Sequence, residues 1–323
     1  MSADGKSSNI LVIGELNVDL VASGMRSEPK LGLEILAETF DVTLGSASAI
    51  FACGAARLGE RVTFVSMVGD DGFGRYCKDA LSARGISTEN ISVSNRSNTG
   101  VTLVMSTAED RALVTYLGAI AKLSYKDIPT TVFGGHGHLH LTSYFLQTSL
   151  RPDFARLMSL AKENGLTTSF DPNSDPAEEW KDDIYSVLEQ TGILFLNETE
   201  AKQFTGRAEV GDALQKLGDF VPCAVIKLGP NGASAVREGE IVFADGFAID
   251  LVDTTGAGDS FDAGFVHAYL RGKDLKECLR IGNACGALST TKSGGTPGQP
   301  DADQVRELLL RTDNMALTTD RKR

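Results

Sequence analysis

Residues 253–265 contain the feature best suited to chemistry, a loop of small residues that leads directly into a helix. They read Asp-Thr-Thr-Gly-Ala-Gly-Asp-Ser-Phe-Asp-Ala-Gly-Phe, and apolar residues recur at Phe261, Phe265 and Ala268. That spacing of four and seven places one apolar stripe along a helix. The segment therefore predicts a glycine-rich turn followed by a buried helix.

The start of this helix is expected to bind an anion. The first N–H groups of a helix have no intrahelical acceptor, so Gly256, Ala257 and Gly258 would present free donors. Glycine also lets the backbone approach an anion without an intervening side chain. Asp259 stands among these donors, where its charge would repel a tightly held pyrophosphate. It is better suited to remove a proton while the N–H groups hold a transferring phosphoryl group.

Other glycine motifs fit this segment less well. Gly256-x-Gly258 could begin a dinucleotide-binding fingerprint, but Phe261 stands where the third glycine belongs. No Walker pattern of Gly, four residues, Gly, Lys and Ser/Thr occurs in the sequence, which excludes a P-loop nucleotide site. A helix cap alone would not need so many Gly and Asp residues.

Composition narrows the class of protein further. The chain has 323 residues, 42% of them hydrophobic, which is enough for one large α/β domain or two smaller ones. Its net charge of −12 argues against a nucleic-acid partner. The sequence shows no Cys-x-x-Cys pair, no signal-peptide pattern and no apolar stretch of transmembrane length. We therefore expect a cytoplasmic protein with reduced thiols and no membrane partner.

Strand-like and helix-like segments alternate along most of the chain. This alternation predicts an α/β fold, in which a mainly parallel sheet is covered by helices on both faces in three α/β/α layers. Ligands of such sheets bind at the carboxyl ends of the strands. The strand candidates are residues 10–14, 61–68, 139–142, 166–170, 193–196 and 224–228, and the helix candidates are residues 47–58, 74–83, 153–164 and 183–190.

Two segments interrupt this alternation. Residues 18–43 contain no clear helix, and residues 99–117 resemble two strands joined by a polar turn at 108–111. Together they could form a small β-sheet lid over the site. No repeat, low-complexity tract or linker rich in Pro, Gly or Ser divides the chain. We therefore predict a single domain, residues 1–323, with this lid.

Several motifs resemble those of the ribokinase (PfkB) family of sugar and nucleoside kinases. The segment Asp253-Thr-Thr-Gly-Ala-Gly-Asp-Ser-Phe261 is similar to the family's C-terminal signature, and further matches follow the family's order over nearly the whole chain. They are Gly14-Glu-Leu-Asn17-Val-Asp19, Ala56-Arg-Leu-Gly59, Gly69-Asp-Asp-Gly-Phe-Gly74, Phe170-Asp-Pro-Asn173, Asn197-Glu-Thr-Glu200 and Lys227-Leu-Gly229 with Gly232. The resemblance implies a ribokinase-like fold and transfer of a phosphoryl group from ATP, with Mg²⁺, to a hydroxyl of a small molecule.

The resemblance also implies roles for individual residues. Asp259 would be the catalytic base, and residues 256–258 would form the anion hole. Asn197 and Glu200 would hold the Mg²⁺–phosphate group through water, since Mg²⁺ keeps much of its hydration shell. One helical turn separates the two residues, so both can face one site. The same Asn-x-x-Glu spacing is equally typical of a helix cap.

Nucleotide and monovalent-cation sites are implied in the same way. Nucleotide contacts would come from Lys227, Gly229, Gly232 and Asn283. Asn283 is nearly as well explained as a polar residue on a mostly buried helix. K⁺ would bind backbone carbonyls of a loop, as in some family members. Those carbonyls belong to Asp253, Thr255, Ser289, Lys292 and Gly294.

The acceptor site departs from the family pattern. Ile50 stands where most members have Asn, so one hydroxyl contact is missing. Asp175 stands where sugar-acid kinases commonly have Arg. Both departures argue against ribose and 2-keto-3-deoxygluconate as the substrate. Asp19 can still accept two hydroxyl hydrogens, although Asp is also common in turns. The full set of expected acceptor residues is Asn17, Asp19, Gly45, Ser46 and Ile50.

These features rank three functions. The leading one is an ATP-dependent phosphotransferase that acts on a hydroxyl of a sugar or sugar derivative. A nucleoside kinase is second, since the apolar Ile50 would suit a base. A non-catalytic sugar-binding homologue is third, and the retained Asp259 argues against it. By resemblance, a homodimer would pair through the lid.

Overall fold

The protein is represented by a computed structural model that describes residues 9–107, 110–177, 179–180 and 183–320. Strands and helices alternate along most of these residues, as the sequence predicts. The strands are β1 (Asn9–Ile13), β2 (Asn17–Ser23), β3 (Thr39–Leu44), β4 (Arg61–Gly69), β5 (Ser87–Ser94), β6 (Gly100–Ser106), β7 (Arg111–Tyr116), β8 (His138–Thr142), β9 (Thr167–Asp171), β10 (Ile193–Asn197), β11 (Cys223–Lys227), β12 (Ala233–Arg237) and β13 (Glu240–Ala244). The α-helices are α1 (Ala47–Arg57), α2 (Gly72–Ser82), α3 (Phe154–Glu163), α4 (Asp183–Leu188), α5 (Glu198–Thr205), α6 (Val210–Gly218), α7 (Ala257–Leu270), α8 (Leu275–Ser289) and α9 (Ala302–Asp320).

A large sheet forms the middle layer of the fold. Its strands run in the order β13-β12-β11-β10-β9-β8-β1-β4-β5, and all neighbours from β11 to β5 are parallel. Helices α1, α2, α7 and α8 pack on one face, and α3 to α6 pack on the other. The predicted three-layer α/β/α fold is therefore confirmed.

The central strand β1 shows why the sequence predicts this sheet well. Leu11 and Ile13 join the core on one face, and Ile10 and Val12 join the core on the other. Because both faces of a parallel sheet are covered, such a strand is a continuous apolar run instead of an alternating one. All four side chains are fully buried.

A separate small sheet is formed by the two segments that interrupt the alternation. Its strands run in the order β3-β2-β6-β7, with β2 and β6 parallel and the outer pairs antiparallel. Its bounds lie within one or two residues of the predicted 18–43 and 99–117. Part of the predicted turn at 108–111 lies outside the described residues. The interpretation of this sheet as a lid remains a prediction.

Two parts of the large sheet are absent from the sequence-based strand candidates. Strand β5 lies at the edge and has a polar sequence, Ser-Thr-Glu-Asn-Ile-Ser-Val-Ser, so its apolar signal is weak. Strands β12 and β13 form an antiparallel hairpin whose two turn residues, Glu238 and Gly239, have φ values of +53° and +79°. A two-residue turn with positive φ at both positions is a common hairpin connection, and Gly239 was its sequence signal.

No helix in the described ranges is long and apolar enough to cross a membrane.

Candidate active site

The glycine loop, residues 254–258, leads into α7 with the geometry that the sequence predicts. Gly256 caps the helix with a left-handed backbone (φ +70°), and a Cβ atom there would lie 2.9 Å from the Cα of Gly295. Only glycine therefore fits at this position without strain. The Ala257 N–H donates to Thr254 O at 3.2 Å, so this N–H is less available to a ligand than its neighbours.

Asp259 lies in the first turn of α7, directly after the loop. Burial raises the pKa of its carboxyl to about 7, Lys227 opposes that rise, and Asp171 and Glu15 add to it. The carboxyl is therefore poised between its acid and base forms near neutral pH. A general base works best when its pKa lies close to the working pH.

Three of the expected acceptor residues lie together at the start of the small sheet. The Asn17 Nδ2 donates to Asp19 Oδ1 at 3.0 Å and to Thr102 Oγ1 at 3.1 Å. A Cβ atom on Gly45 would lie 2.1 Å from Asp19 Oδ1, so glycine is required beside this carboxylate. Burial raises the pKa of Asp19 to about 6, against hydrogen bonds from Asn17 and Thr102 and the charge of Arg111. Asp19 thus remains an ionised acceptor at neutral pH.

Ser46 joins this group through an unusual backbone conformation. It caps α1 at φ +77°, its Oγ donates to Glu15 O at 2.6 Å, and the same Oγ accepts from Ala49 N at 3.1 Å. The buried Glu15 carboxylate in turn accepts from Ser48 N, Ser48 Oγ and Ser143 Oγ. Glu15 was not predicted as a site residue. The signal that could have revealed it is a carboxylate directly after a buried strand.

Ile50 lies beneath the glycine loop. Its side chain is 4% exposed, and its methyl groups meet the positions where Cβ atoms on Gly256 and Gly295 would stand. Most of this side chain therefore supports the loop. Its expected contact with the acceptor remains a prediction.

Arg111 is a second residue that the sequence analysis missed. From strand β7 of the small sheet it donates to Thr255 Oγ1 at 2.6 Å and lies 3.9 Å from Asp253 Oδ1. Its charge also lowers the pKa of Asp19. Arg111 therefore connects the small sheet, the acceptor residues and the glycine loop. A charge on an exposed strand gives no sequence signal for a partner 144 residues away.

The segments expected to supply K⁺ carbonyls lie side by side. Asp253 Oδ1 accepts from Thr255 N and Oγ1, and Asp253 Oδ2 accepts from Gly294 N at 2.8 Å. The N–H of Asp253 donates to Thr290 O, between Ser289 and Lys292 in the chain. The five expected residues therefore belong to two adjoining segments, the loop before α7 and the end of α8 with the loop that follows it, and K⁺ binding itself stays a prediction.

Asn197 and Glu200 form the helix cap that their spacing also allows. Asn197 Oδ1 accepts from Glu200 N, and Glu200 Oε2 accepts from Asn197 N, both at 2.9 Å. Glu200 Oε1 accepts from Ser174 Oγ at 2.9 Å. Burial and then Asp171 raise the pKa of Glu200, while Lys227 and these hydrogen bonds lower it. The described residues hold no cluster of three or more His, Cys, Asp or Glu that could bind a metal. Contact of Asn197 and Glu200 with nucleotide-bound Mg²⁺ through water remains a prediction.

Glu200→Gln should raise the Mg²⁺ concentration needed for half-maximal activity more than it changes the KM for the acceptor. Gln keeps the capping hydrogen bond but removes the charge that would attract the hydrated ion. The measurement is a Mg²⁺ titration of initial rates. The matched control is Glu198→Gln, which removes an exposed carboxylate from the same helical turn. Equal Mg²⁺ curves for wild type and Glu200→Gln would show that Glu200 only caps the helix.

The expected nucleotide residues occupy two places. Gly232 (φ +98°) packs so tightly that a Cβ would lie 2.1 Å from Ala244 O, and Asn283 Nδ2 donates to the carbonyls of Ala244 and Asp245. Gly229 begins the short 3-10 turn that precedes Gly232. These residues form one loop group at the end of β11 and β13.

Lys227 is directed elsewhere. Its Nζ lies 2.6 Å from Asp171 Oδ2 and 3.2 Å from both carboxylate oxygens of Asp262, in the interior beneath Gly258. The structure therefore brings Gly229, Gly232 and Asn283 together but does not bring the Lys227 ammonium to them.

Comparison with known proteins identifies the family of this site. The description "pfkB family carbohydrate kinase" matches residues 7–302. The chain belongs to the PfkB family of carbohydrate kinases. It is 30% identical over 310 residues to a ribokinase of Haemophilus influenzae, covering 93% of this chain and 98% of the relative. It is 32% identical over 291 residues to a 2-dehydro-3-deoxygluconokinase of Bacillus subtilis, covering 84% of this chain and 88% of the relative.

Solved structures of PfkB proteins share the fold. A protein described as ribokinase II from E. coli, in complex with ATP and Mg²⁺, superposes with a TM-score of 0.84 and 27% identity. The superposition covers 94% of this chain and 99% of that one. This PfkB chain therefore has the ribokinase fold and is a carbohydrate kinase, as the motifs predicted.

Proposed function

We propose that this carbohydrate kinase transfers the γ-phosphoryl group of ATP to a hydroxyl of a sugar or sugar derivative. The observation that carries the proposal is Asp259, a carboxyl with a pKa of about 7 that directly follows the glycine loop at the N-terminus of α7. An anion site beside a carboxyl whose pKa is raised toward neutrality suits phosphoryl transfer to a hydroxyl.

The proposed step uses few groups. Asp259 takes the proton of the acceptor hydroxyl as the hydroxyl oxygen attacks the γ-phosphorus. The bond between the γ-phosphorus and the β–γ bridging oxygen breaks, and ADP leaves with that oxygen. The N–H groups of Gly256 and Gly258 hold the phosphoryl oxygens, whose charge they stabilise. Asn197 and Glu200 would hold nucleotide-bound Mg²⁺ through water, and the ion would supply positive charge beside the phosphates. Positioning and electrostatic stabilisation supply most of the rate enhancement in such transfers.

Asp19 gives the proposed acceptor site its preference for hydroxylated ligands. Its carboxylate can accept hydrogen bonds from two hydroxyls, and its Oδ1 is already oriented by Asn17. The relatives are named for ribose and a sugar acid, but Ile50 and Asp175 replace the residues expected for those substrates. We therefore propose a sugar or sugar derivative other than these two.

A nucleoside kinase is the second candidate. The observation in its favour is that Ile50 has no hydrogen-bonding group where most family members place an amide for a hydroxyl of the acceptor.

The deciding experiment measures ATP-dependent phosphorylation of a panel of sugars, sugar acids and nucleosides, with product detected by mass spectrometry. We expect turnover of one sugar or sugar derivative with kcat/KM far above that of the nucleosides. A preference for nucleosides would favour the second candidate. ATP affinity with no phosphorylated product would favour a sugar-binding homologue.

The small sheet is proposed to act as a lid of the single domain, residues 1–323, and to pair in a homodimer. Large apolar side chains are exposed on it, and a monomer gains nothing from exposing them. They are Phe40, Val42, Leu103, Leu113, Val114 and Tyr116. Sedimentation of the wild type and of Leu113→Glu measures the association. A monomeric wild type would contradict the pairing.

We also propose a cytoplasmic location and activation by K⁺. Activity assays in KCl and in NaCl would test the activation.

A further inference from the structure

A buried cluster of three charged side chains lies under the start of α7. The lysine cluster consists of Lys227 from the end of β11, Asp171 from the end of β9 and Asp262 from α7. The Lys227 Nζ lies 2.6 Å from Asp171 Oδ2 and 3.2 Å from each oxygen of Asp262. The exposed fractions of the three side chains are 13%, 3% and 0%, so water contributes little to their solvation.

These contacts leave the ammonium no donor for a nucleotide. A lysine ammonium has three N–H donors. Three carboxylate oxygens lie within hydrogen-bond distance of the Lys227 Nζ. A phosphate oxygen could therefore bind Lys227 only by displacing a buried carboxylate. That exchange is unfavourable because the displaced charge would remain buried without a partner.

The cluster touches the glycine loop from below. A Cβ atom on Gly258 would lie 3.2 Å from the Lys227 Nζ, so the ammonium occupies the space that a side chain at this position would need. Asp262 follows Asp259 by three residues, which places both carboxyls on one side of α7. The cluster thus fastens the first turn of α7, with Gly258 and Asp259, to the carboxyl ends of β9 and β11.

The pKa values of the two carboxyls in the cluster depend on burial and on Lys227. Burial raises the pKa of Asp262 well above its usual range, which outweighs Lys227, and Asp171 adds to the rise. Burial also acts to raise the pKa of Asp171, but Lys227 and hydrogen bonds from Asp262, Lys227 and Asn173 lower it overall. The pKa values of the two carboxyls are thus shifted in opposite directions, although both lie beside the same ammonium. The contacts with Asp171 and Asp262 hold the ammonium beneath Gly258.

We propose that Lys227 is a positioning residue for phosphoryl transfer, which holds Gly258 and Asp259 in place through Asp262 and sets its positive charge directly behind the anion hole. This inference rests on the proposed function and replaces the expected role of Lys227 as a nucleotide ligand. A fixed charge behind the N–H donors stabilises the charge that develops on the transferring group, and it needs no rearrangement during the reaction.

Two variants test this assignment. Lys227→Met removes the charge but leaves Asp171 buried without its partner, so the second variant, Asp171→Asn with Lys227→Met, removes the ion pair as a unit. We expect both to lower kcat at least about tenfold, with KM for ATP and the calorimetric Kd for Mg²⁺–ATP within about twofold of wild type. The matched control is Lys202→Met, which removes a lysine from an exposed ion pair with Glu198 and should leave the kinetics unchanged.

Three results would overturn the proposal. A large rise in KM and Kd for ATP with kcat retained would make Lys227 a nucleotide ligand. Recovery of wild-type kcat in the double variant would show that the cluster only stabilises the fold. Kinetics equal to those of Lys202→Met in both variants would show no role in transfer. If the wild type phosphorylates no acceptor, the proposed function fails. In that case the same variants are compared with wild type by their rates of slow ATP hydrolysis without acceptor. These rates still decide whether Lys227 positions the loop.

Discussion

Asp259→Asn should lower kcat by about 10²–10⁴, the usual contribution of a positioned general base, while the Kd for ATP stays close to that of the wild type. The amide has nearly the shape of the carboxylate, so α7 and the glycine loop should be preserved. It cannot take the proton of the acceptor hydroxyl. Steady-state rates and calorimetric ATP binding measure the two effects separately. Turnover within about threefold of wild type, in a variant with an unchanged melting temperature, would falsify the assignment of Asp259 as the base.

The pH dependence gives an independent check on the same residue. The pKa of Asp259 is raised to about 7, so the base form predominates only above that pH. The kcat/KM of the wild type should therefore fall about tenfold per pH unit as pH decreases below about 7, because kcat/KM reports the pKa of the free enzyme. Asp19, with a pKa raised to about 6, loses its charge only at lower pH. The residual activity of Asp259→Asn should lack the limb near pH 7.

The matched control for this prediction is Asp253→Asn. Asp253 lies in the same loop, and its carboxylate binds Thr255 and Gly294. Hydrogen bonds from Gly294 and Thr255 and the charge of Arg111 lower its pKa in spite of burial. Asp253→Asn should disturb the loop and reduce the rate, but it should keep the limb near pH 7. If the limb disappears in Asp253→Asn and persists in Asp259→Asn, the titrating group is Asp253 and the assignment to Asp259 is wrong.

Features contained in one short segment were predictable from the sequence. The glycine loop and the first turn of α7 are contiguous, so the glycine turn and the position of Asp259 follow from residues 253–265 alone. The central parallel strands were predictable for a similar reason, because burial on both faces produces an apolar run such as residues 10–13 of β1. Edge strand β5 was not predictable, because its exposed position at the edge of the sheet leaves it with few apolar residues.

Contacts between distant segments account for the features that the sequence did not predict. Lys227 was expected at the nucleotide because Lys227-Leu-Gly229 resembles the nucleotide loop of the family, yet its partners Asp171 and Asp262 lie 56 and 35 residues away. Arg111 meets Thr255 across 144 residues, and Glu15 meets Ser143 across 128. Sequence spacing predicts which residues share a helix or a strand end. It does not predict which side chain from a distant segment fills the space beside a glycine.

The role proposed for Asp19 leads to a second large effect. Asp19→Ala should lower kcat/KM for the preferred acceptor by roughly 10²–10⁴. Hydrogen bonds to a charged group contribute about 1.5–3 kcal/mol each, and two hydroxyls would lose their common acceptor. The ATP Kd should not change. We expect the fold of Asp19→Ala to be preserved, because Asn17 Nδ2 keeps Thr102 Oγ1 and Val18 O as acceptors.

Two further variants separate acceptor recognition from damage to the small sheet. Asp41→Ala removes an exposed carboxylate from β3, which pairs with the strand that carries Asp19, and should have little effect. Asp19→Asn keeps one acceptor oxygen without the charge, so its kcat/KM should lie between those of wild type and Asp19→Ala. A site built to bind a hydroxyl rejects an analogue that lacks it. The deoxy analogue of the preferred acceptor should therefore lose far less in Asp19→Ala than the parent acceptor does. Equal losses for both, or normal use of the parent acceptor, would place Asp19 outside the acceptor site.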